Sequence, residues 1–415
     1  MLTACGQSSN VVTGSIQVVS TPTAAEVYLE GTLRGQTPLV IRELSPGEYT
    51  VRLAKPGYAD AVGRAIVHPR RTSYVQGLLE QKPTLLEHHL AYLSNKDGSY
   101  EIWTIKEDGT GQRRWTAFNW EQPATAMAAI PGKGYLAVSQ GQLAYETRTW
   151  VVAAPDPQEE ILGFQPVQVG GDTIRLVQWS ADGTLLLLEN LASQTLWLVN
   201  ANGSGMRLVP IPDIPRGVTG ATLSPHGQQI AYSSYDRTWL MDVDTASRQE
   251  LALNGPAGNS FLRWSPDGLR IAYVKVMVDN VYRAGELWVM NANGSVPKRI
   301  SLGNSQDFDP VWSPDSSRLA FVHRENVGDA TADQDPSRLV SNLWVFDIKA
   351  ESLRSVTAFQ GQRVWQPSWS PDGRLLAFVC DDSGRDEVWL VNVEEGRVWQ
   401  LTRDESEAAF PVWLW

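Results

Sequence analysis

The sequence predicts an all-β protein in which a small β-sandwich is followed by a seven-bladed β-propeller. Three observations predict this architecture: tryptophans at a nearly constant spacing, a turn motif that recurs with them, and an N-terminal segment with a two-residue rhythm. A length of 415 residues allows about two or three domains. Hydrophobic residues make up 42% and charged residues 20% of the chain, which are proportions of a globular protein.

The first segment, residues 1–13, is predicted to be an anchor and a tether. It begins Met1-Leu2-Thr3-Ala4-Cys5-Gly6, and small residues before a Cys resemble the bacterial lipobox. That resemblance implies lipid attachment at Cys5, followed by a polar tether. Only four residues precede Cys5, fewer than a signal peptide has, so an ordinary Cys in an N-terminal tail is the alternative.

The second segment, residues 14–80, has the rhythm of a small β-sandwich. Apolar and polar residues alternate in short runs that are separated by Gly and Pro turns. The runs are SIQVVS from Ser15, AEVYLEG from Ala25, LVIREL from Leu39, YTVRLA from Tyr49 and SYVQGLL from Ser73. Residues 81–87 are predicted to be a linker to a second domain, residues 88–415.

The turn residues of this segment resemble those of the PEGA family. The matching positions are Pro22, Ala25, the VYLEG run ending at Gly31, Gly35 before Thr37-Pro38, the SPGEY run at Ser45 and the PGY run at Pro56. Thr23 and Ala24 replace the Glu and Gly of the tetrad that names the family. The resemblance implies a cell-surface interaction or spacer module.

Tryptophan recurs through residues 88–415 inside short apolar runs such as EIWTI and EVWLV. The spacings between successive members are 47, 47, 42, 49, 56 and 45 residues. The series consists of Trp103, Trp150, Trp197, Trp239, Trp288, Trp344 and Trp389. One aromatic residue per repeat at a constant strand position is how stacked sheets fill the space between them, so we predict a structural role for the series.

A turn motif precedes most of these tryptophans. It reads WSADG at Trp179, LSPHG at Leu223, WSPDG at Trp264 and Trp369, and WSPDS at Trp312. Pro presets φ for the first central turn position and Gly accepts a positive φ, so each motif predicts a strand, a tight turn and a second strand. Further turns such as NANGS at Asn200 then lead to a fourth strand. Four strands in about 40–50 residues are typical of a propeller blade.

The number of blades follows from the length of the repeated region. Residues 88–415 number 328, and division by seven gives about 47 residues, within the range of propeller repeats. The first propeller repeat lacks a WSPDG-type strand of its own, whereas the run AAFPVWLW from Ala408 to Trp415 is such a strand without the other strands of a repeat after it. We therefore predict that the C-terminal strand closes the ring. The second propeller repeat lacks a clear turn motif, so six blades remain the alternative.

The repeats resemble the TolB-like propeller family, in which a W-S-P-D-G strand and turn precede an I-A-F-type strand. The likeness extends over residues 88–415 and is most specific at Trp264–Gly268 and Trp369–Gly373. The resemblance implies an extracytoplasmic protein without catalytic chemistry of its own.

Composition and motifs exclude several classes of function. The 35 basic and 46 acidic residues give a net charge of −11, which repels phosphate backbones, so no nucleic-acid partner is predicted. The longest apolar stretches, such as Leu375 to Cys380, are too short to span a bilayer. The sequence contains no G-x-S-x-G, Walker, or H-E-x-x-H motif and no G-x-G-x-x-G after a strand, so we predict no catalytic residue.

No metal site and no cofactor are predicted. The five histidines are scattered over both domains, and Cys380 is predicted to be a packed free thiol. Two loops contain several carboxylates: Asp329, Asp333 and Asp335 in one, and Asp381, Asp382 and Asp386 in the other. Neither loop has the ligand order of a calcium-binding loop. Bound Ca²⁺ is the alternative to the prediction that the protein has no metal site.

Chain direction predicts where a partner binds. The SPDG and NANG turns lie on one rim, while the second-to-third strand loops lie on the other rim with the connections between blades. That second rim carries two long insertions, Lys275 to Glu286 and Arg324 to Asn342, and binding concentrates on variable loops of a rigid scaffold. The candidate binding residues around it are Trp120, Tyr282, Arg283, Asp307, Asp309, Arg324, Arg363 and Trp365. Covering the ends of the core is their alternative role.

The sequence thus predicts a non-catalytic protein of the bacterial cell envelope, extracytoplasmic and attached to the membrane only through a lipid at Cys5. Its propeller would bind a protein or peptide partner. The alternative is a carbohydrate-binding protein or a glycan-acting hydrolase of the cell surface, with paired carboxylates on the insertion rim.

Overall fold

The computed structural model describes residues 12–414 except 56–57, 59, 80–87, 131–134, 142–146, 154–166, 172, 212–217, 219, 235–236, 252–257, 279–282, 303–304, 325–339 and 405. Every regular element among these residues is a β-strand. The chain divides into two compact units, Met1–Glu87 with Asp108–Thr110, and His88–Glu107 with Gly111–Trp415. Within the part described, no helix is long and apolar enough to cross a membrane.

The first unit contains two sheets. A three-stranded sheet has the order β4-β1-β7 and a four-stranded sheet has the order β3-β2-β5-β6. The strands are β1 (Gly14–Thr21), β2 (Glu26–Leu29), β3 (Thr32–Gln36), β4 (Leu39–Leu44), β5 (Gly47–Ala54), β6 (Ala61–Val67) and β7 (Thr72–Leu78). Strands β1 and β7 are parallel, and the other pairs are antiparallel.

The two sheets enclose one apolar core because residues alternate along each strand. Ile16 and Val18 of β1 are fully buried, as are Val27 of β2 and Val51 of β5, while the residues between them face outward. Each such side chain contributes about 1.5–3 kcal/mol when it leaves water. The predicted period-two pattern is therefore the pattern of burial.

The second unit contains, among the described residues, seven four-stranded antiparallel sheets. The first sheet is β35 (Ala408–Trp413), β8 (His89–Ser94), β9 (Glu101–Lys106) and β10 (Arg113–Arg114). The second sheet is β11 (Ala124–Ala129), β12 (Tyr135–Gln140), β13 (Arg148–Ala153) and β14 (Val167–Val169). The third is β15 (Ile174–Trp179), β16 (Leu185–Asn190), β17 (Thr195–Asn200) and β18 (Arg207–Leu208). The fourth is β19 (Gly220–Leu223), β20 (Gln229–Ser234), β21 (Arg237–Asp242) and β22 (Arg248–Leu251).

The last three sheets follow the same plan. They are β23 (Gly258–Trp264), β24 (Arg270–Val278), β25 (Arg283–Asn291) and β26 (Lys298–Arg299); β27 (Gln306–Trp312), β28 (Arg318–Arg324), β29 (Ser341–Asp347) and β30 (Ser352–Ser355); and β31 (Val364–Trp369), β32 (Leu375–Cys380), β33 (Glu387–Asn392) and β34 (Arg397–Gln400). The first strands of neighbouring sheets contact one another in a closed cycle, β35-β11-β15-β19-β23-β27-β31 and back to β35. These strands are therefore the innermost strands of a propeller.

The C-terminal strand closes the ring, as the sequence predicted. Strand β35 pairs antiparallel with β8, with Ala408 opposite Ser94 and Trp413 opposite Leu90. Trp413 is only 1% exposed, and its Nε1–H donates to the carbonyl of Ser368 on β31 at 3.0 Å. The first sheet thus combines residues from both ends of the second unit, which leaves no unpaired edge on β8.

The recurring turn motif has its predicted conformation. In WSPDG at Trp264, the Ser265 hydroxyl donates to Asp267 Oδ1 at 2.6 Å and accepts from the Arg270 amide at 2.9 Å. Gly268 has a φ of 75°, a value that suits glycine. The motif at Trp312 has Ser316 at the same place with a φ of 59°.

Tryptophans at the end of the innermost strands join neighbouring sheets. Four of these indoles donate their Nε1–H to a backbone carbonyl of the preceding innermost strand at 2.9–3.0 Å: Trp179 to Ala128, Trp312 to Arg263, Trp369 to Val311 and Trp413 to Ser368. The Trp264 indole instead donates to the Gly268 carbonyl of its own turn. A buried indole needs such a partner, so the repeated bond between sheets helps to set their distance.

Four neighbouring innermost strands carry a β-bulge that the sequence analysis did not predict. The residue three positions before the strand tryptophan has a positive φ in each: Phe261 at 51°, Asp309 at 49°, Gln366 at 55° and Phe410 at 53°. The pairing register shifts at the same places. Non-glycine residues in this region store about 1–3 kcal/mol each, which the surrounding pairing must offset.

One predicted insertion is mostly strand. Strand β24 continues to Val278 and β25 begins at Arg283, so Lys275–Val278 and Arg283–Glu286 extend a hairpin rather than form a loop. Valines at 274, 276 and 278 favour this extension because β-branched residues suit a pleated ladder. The second insertion, Arg324 to Asn342, falls largely on residues 325–339, outside the described part of the chain.

Candidate binding surface on the loop rim

Antiparallel pairing separates the connections of the propeller into two rims. In the seventh sheet, one edge carries the turn from Trp369 to Leu375, and the opposite edge carries the loop from Cys380 to Glu387. We call the edge with the second-to-third strand loops and the connections between sheets the loop rim, and the opposite edge the turn rim. On the turn rim, the Asp182 amide donates to the Pro225 carbonyl at 3.1 Å, which joins the turns of two neighbouring sheets.

Arg363 and Trp365 lie together on the loop rim at the start of β31. The Asp381 carboxylate, just after β32, accepts hydrogen bonds from the Arg363 Nε–H at 2.8 Å and the Arg363 backbone N–H at 2.7 Å. The guanidinium carbon lies 5.5 Å from the centroid of the Trp365 ring. The Arg363 side chain is 44% exposed and Trp365 is half-buried, so both present surface to a partner.

Arg324 lies on the same rim in the neighbouring sixth sheet. Its Nη1 donates to Gln306 Oε1 at 3.0 Å, and its guanidinium carbon lies 5.2 Å from the centroid of Phe308. The Ser341 amide donates to the Gln362 carbonyl at 3.2 Å, which joins the rims of the sixth and seventh sheets. The structure therefore brings two of the predicted binding regions, around Arg324 and around Arg363, onto adjacent sheets.

Asp307 does not face solvent. It is 1% exposed, and its carboxylate accepts hydrogen bonds from the Ser301 hydroxyl and, at 3.3 Å, from the Ser305 hydroxyl. His323 Nδ1 lies 2.7 Å from the other carboxylate oxygen. Placing Asp307 among the surface residues was therefore wrong, because alternation along β27 turns this side chain into the protein.

Asp309 lies on the bulge of β27, in an innermost strand. Burial raises the pKa of Asp309, although the charge of Arg263 and a hydrogen bond from the Gln366 amide favour the ionised carboxylate. Burial also lowers the pKa of Arg263. The Gln366 side chain in turn accepts a hydrogen bond from the Phe410 amide at 2.7 Å. Side chains at two bulges thus hold the backbone of the next sheet, a role that the sequence analysis did not foresee.

The other candidates lie elsewhere. Trp120 is half-buried in the first two sheets, where its ring stacks on Phe118 with centroids 4.0 Å apart and meets Trp150 at 4.9 Å. This packing supports the alternative role, covering the end of the core. Tyr282 lies outside the described residues, and of Arg283 the structure describes only the backbone, at the start of β25.

A cavity that the sequence analysis missed opens on the loop rim where the ring closes. Its volume is about 540 Å³, and we call it the seam cavity. It is lined by Asn95, Lys96 and Gly98 of the β8–β9 loop, Arg385 of the β32–β33 loop, and Asp404, Ser406 and Glu407 of the β34–β35 connection. The predicted closure could have located it, because closure brings the residues before Ala408 beside the first hairpin.

Hydrogen bonds across the closure shape this cavity. Lys96 Nζ donates to Asp404 Oδ1 at 2.8 Å, and Gln112 Nε2 donates to Asp404 Oδ2 at 2.6 Å. The Glu407 amide donates to Asn95 Oδ1 at 3.0 Å. Because charged partners strengthen hydrogen bonds, these contacts hold the β8–β9 loop and the β34–β35 connection in a defined geometry.

Titratable groups beside the cavity are perturbed by burial and by each other. The Tyr100 hydroxyl donates to Glu407 Oε2 at 2.5 Å, and burial together with Glu407 raises the pKa of Tyr100 to about 12. Burial and the nearby Glu407 carboxylate also raise the pKa of Asp386. Tyr100 therefore remains a hydrogen-bond donor at neutral pH.

The remaining chemistry-bearing residues have structural surroundings. Among the described residues, no three His, Cys, Asp or Glu side chains are grouped so that they could hold a metal ion. His88 is buried and lies 3.3 Å from Asp372. Cys380 is a buried free thiol, as predicted, and burial raises its pKa to about 12, so it is unreactive at neutral pH. Cys5 lies outside the described residues.

Comparison with protein families decides the nature of the first unit. Residues 13–83 match the PEGA domain. This unit is a PEGA domain. The resemblance that its Gly and Pro positions indicated is thereby confirmed, and the two sheets above are the fold of this PEGA domain.

The chain is also similar in sequence to TolB proteins. The Tol-Pal system protein TolB of Thioalkalivibrio sulfidiphilus is 33% identical over 92 residues, which are 22% of this chain and 18% of that protein. The uncharacterized peptidase YuxL of Bacillus subtilis is 32% identical over 107 residues, 25% of this chain and 15% of its own length. The chain therefore spans less than a fifth of each of these two relatives.

A solved structure supports the fold alone. A candidate 6-phosphogluconolactonase from Bacteroides uniformis is 16% identical and covers 78% of this chain and 98% of its own, with a TM-score of 0.52. The sequence is too different for its activity to be carried over.

Proposed function

We propose that this chain is a non-catalytic, extracytoplasmic protein of the bacterial cell envelope whose propeller binds a protein or peptide partner on the loop rim. The observation that carries the proposal is the cluster of Arg363 and Trp365, which Asp381 holds at the surface. Arg and Trp are the side chains that most often dominate binding energy at interfaces, and a pre-positioned pair loses little entropy on binding.

The family relationships support the cellular location in this proposal. The chain combines a PEGA domain with a propeller that resembles TolB, a protein named for the Tol-Pal system. The relative named as a peptidase shares only 15% of its length with this chain, so its activity gives no reason to assign catalysis here.

Capture of envelope proteins by the immobilised full chain tests the proposal. Trp365→Ala and Arg363→Ala should each weaken capture of the same partner by about 2 kcal/mol or more, which is roughly 30-fold in Kd. Arg354→Ala is the matched control, because its side chain is 45% exposed, like that of Arg363, and lies on outer strand β30. A partner whose affinity falls with Arg354→Ala but not with the two rim variants would refute the assignment of the rim.

We also propose that Cys5 carries the lipid that attaches the protein to the membrane. When the chain is expressed in a bacterium behind a complete lipoprotein signal peptide, it should sediment with membranes, and Cys5→Ser should release it into the soluble fraction. Cys380→Ser is the control, since this buried thiol should not affect sedimentation. Membrane association that persists in Cys5→Ser would exclude attachment at this residue.

A further inference from the structure

The seam cavity is lined by groups that can donate and accept hydrogen bonds in several directions. Among the described lining residues, Lys96 and Arg385 carry positive charge while Asp404 and Glu407 carry negative charge, so these two pairs balance. Asn95 and Ser406 add an amide and a hydroxyl, and none of the lining residues that the structure describes has an apolar side chain. Its volume of about 540 Å³ lies within the range of small-molecule sites, roughly 300–1,000 Å³.

The contacts already made inside the cavity decide which groups remain for a ligand. Asp404 is occupied by Lys96 and Gln112, one on each oxygen. Glu407 accepts the Tyr100 hydroxyl hydrogen bond through Oε2. Arg385 is exposed and extends from a different loop, so Arg385 and Glu407 line the cavity from the two sides of the closure.

This lining distinguishes between classes of ligand. A peptide anchored by apolar side chains has no apolar surface to bury them against. A ligand with a single charge meets as many like charges as opposite charges in the lining. A hydroxyl group both donates and accepts, so a polyol can bond to the carboxylate and the guanidinium together without introducing an unmatched charge. We propose that the seam cavity binds a neutral saccharide, with Arg385 and Glu407 as the residues that hold its hydroxyl groups.

Binding at this place has a physical consequence for the fold. Arg385 lies in a loop of the seventh sheet, whereas Asn95 and Lys96 lie in a loop of the first sheet. A saccharide in the cavity would therefore contact both sides of the ring closure. A ligand that binds only the closed ring stabilises it against unfolding by mass action. The proposal does not rest on the Arg363 and Trp365 cluster, which uses different residues.

The test is titration of the full chain with three disaccharides: cellobiose, N,N′-diacetylchitobiose and digalacturonate. We expect one of the two neutral sugars to bind and to raise Tm in a concentration-dependent manner. Arg385→Ala and Glu407→Gln should each weaken that binding by at least about tenfold, the effect of losing one charge-assisted hydrogen bond. Both residues are exposed, so circular dichroism of the variants should be unchanged.

Matched controls are available on outer strands of the propeller. Arg207→Ala and Glu250→Gln change side chains that are 50% and 52% exposed, and they should leave the affinity unchanged. The proposal is overturned if neither neutral sugar binds at millimolar concentration, or if binding survives both cavity variants. Binding of tetralysine or tetraglutamate that both cavity variants abolish, without binding of a neutral sugar, would assign the cavity to a charged peptide instead.

Discussion

The Glu387 carboxyl group is buried at the start of β33, on the loop rim of the seventh sheet. It is 2% exposed and accepts a hydrogen bond from the Thr402 hydroxyl. Burial raises the pKa of Glu387 from 4.5 to about 7, with a further contribution from the Asp404 charge. The folded protein therefore holds a proton on Glu387 at pH values where the unfolded chain has released it.

Stability should consequently depend on pH through this residue. The stabilising contribution is complete below about pH 4.5, and it is lost as pH rises through about 7, because the folded state then gives up its extra proton. Glu387→Gln imitates the protonated carboxyl, so the variant should be more stable than the wild type at pH 8, by up to about 3 kcal/mol. Thermal melts between pH 5 and 8 measure this difference.

Glu101 provides the comparison for that experiment. It holds the equivalent place two residues before a repeat tryptophan, but it accepts hydrogen bonds from the amides of Phe118 and Asn119 at 2.8 and 2.7 Å and pairs with Arg114 at 3.0 Å. Glu101→Gln removes a charge that these donors stabilise, so its Tm should fall at pH 8. Equal responses of the two variants would show that burial at Glu387 does not govern its protonation.

At the scale of single residues, the sequence predicted the roles of residues that recur in each repeat. It did not predict which side chains are buried near the bulges, where the alternation of inward and outward side chains is interrupted. Tryptophan and the SPDG turns recur, so their roles could be inferred by comparing repeats. The bulges at Phe261 and Gln366 have no glycine or asparagine to indicate a positive φ. Because strand alternation resets at each bulge, the orientation of Asp307 could not be derived from spacing alone.

At the scale of elements, strand β35 is the piece on which ring closure depends. Deleting residues 408–415 removes the pairing with β8 and the Trp413 indole, and both the first and the seventh sheet then lose a buried face. Several buried side chains at about 1.5–3 kcal/mol each approach the whole stability of a typical domain, about 5–15 kcal/mol. We expect the truncated protein to lose the cooperative melting transition of the propeller, as measured by calorimetry, and to keep that of the PEGA domain.

A milder variant keeps this test informative if the truncated protein does not fold. Trp413→Phe retains most of the apolar surface but loses the Nε1–H bond to Ser368, which should cost about 1 kcal/mol and lower Tm by a few degrees. The control is Ile66→Val on β6 of the PEGA domain, an exposed apolar side chain whose change should leave the propeller transition unchanged. A truncated protein with an unchanged Tm would contradict closure by β35.

Element order and closure were predictable because each follows from the repeat. The length of the β24–β25 hairpin was not predictable, since a run of valine and charged residues can form either a loop or an extended strand. The seam cavity also has no motif of its own. Its residues come from three separate connections, and only the closed ring brings them together.

At the scale of the whole molecule, the two units have separate apolar cores. The core of the PEGA domain contains Ile16, Val27 and Leu53 and no buried residue of the propeller. Because cooperative unfolding follows the core, calorimetry of the full chain should show two transitions, one of which coincides with that of a fragment comprising residues 12–80. A single transition for the full chain, well separated from that of the fragment, would show that the units unfold together.

Closure by the last strand also has a consequence for biosynthesis. Asn95 and Glu407, which meet at the closure, are 312 positions apart in the chain. At about 5–20 residues per second, a ribosome needs roughly 15–60 s to make the intervening segment. The PEGA domain is complete early, whereas β8 cannot pair with β35 until synthesis has reached Trp413. A prematurely terminated polypeptide therefore exposes an unpaired strand from the start of the propeller, which proteases of the cell can recognise before such a product accumulates.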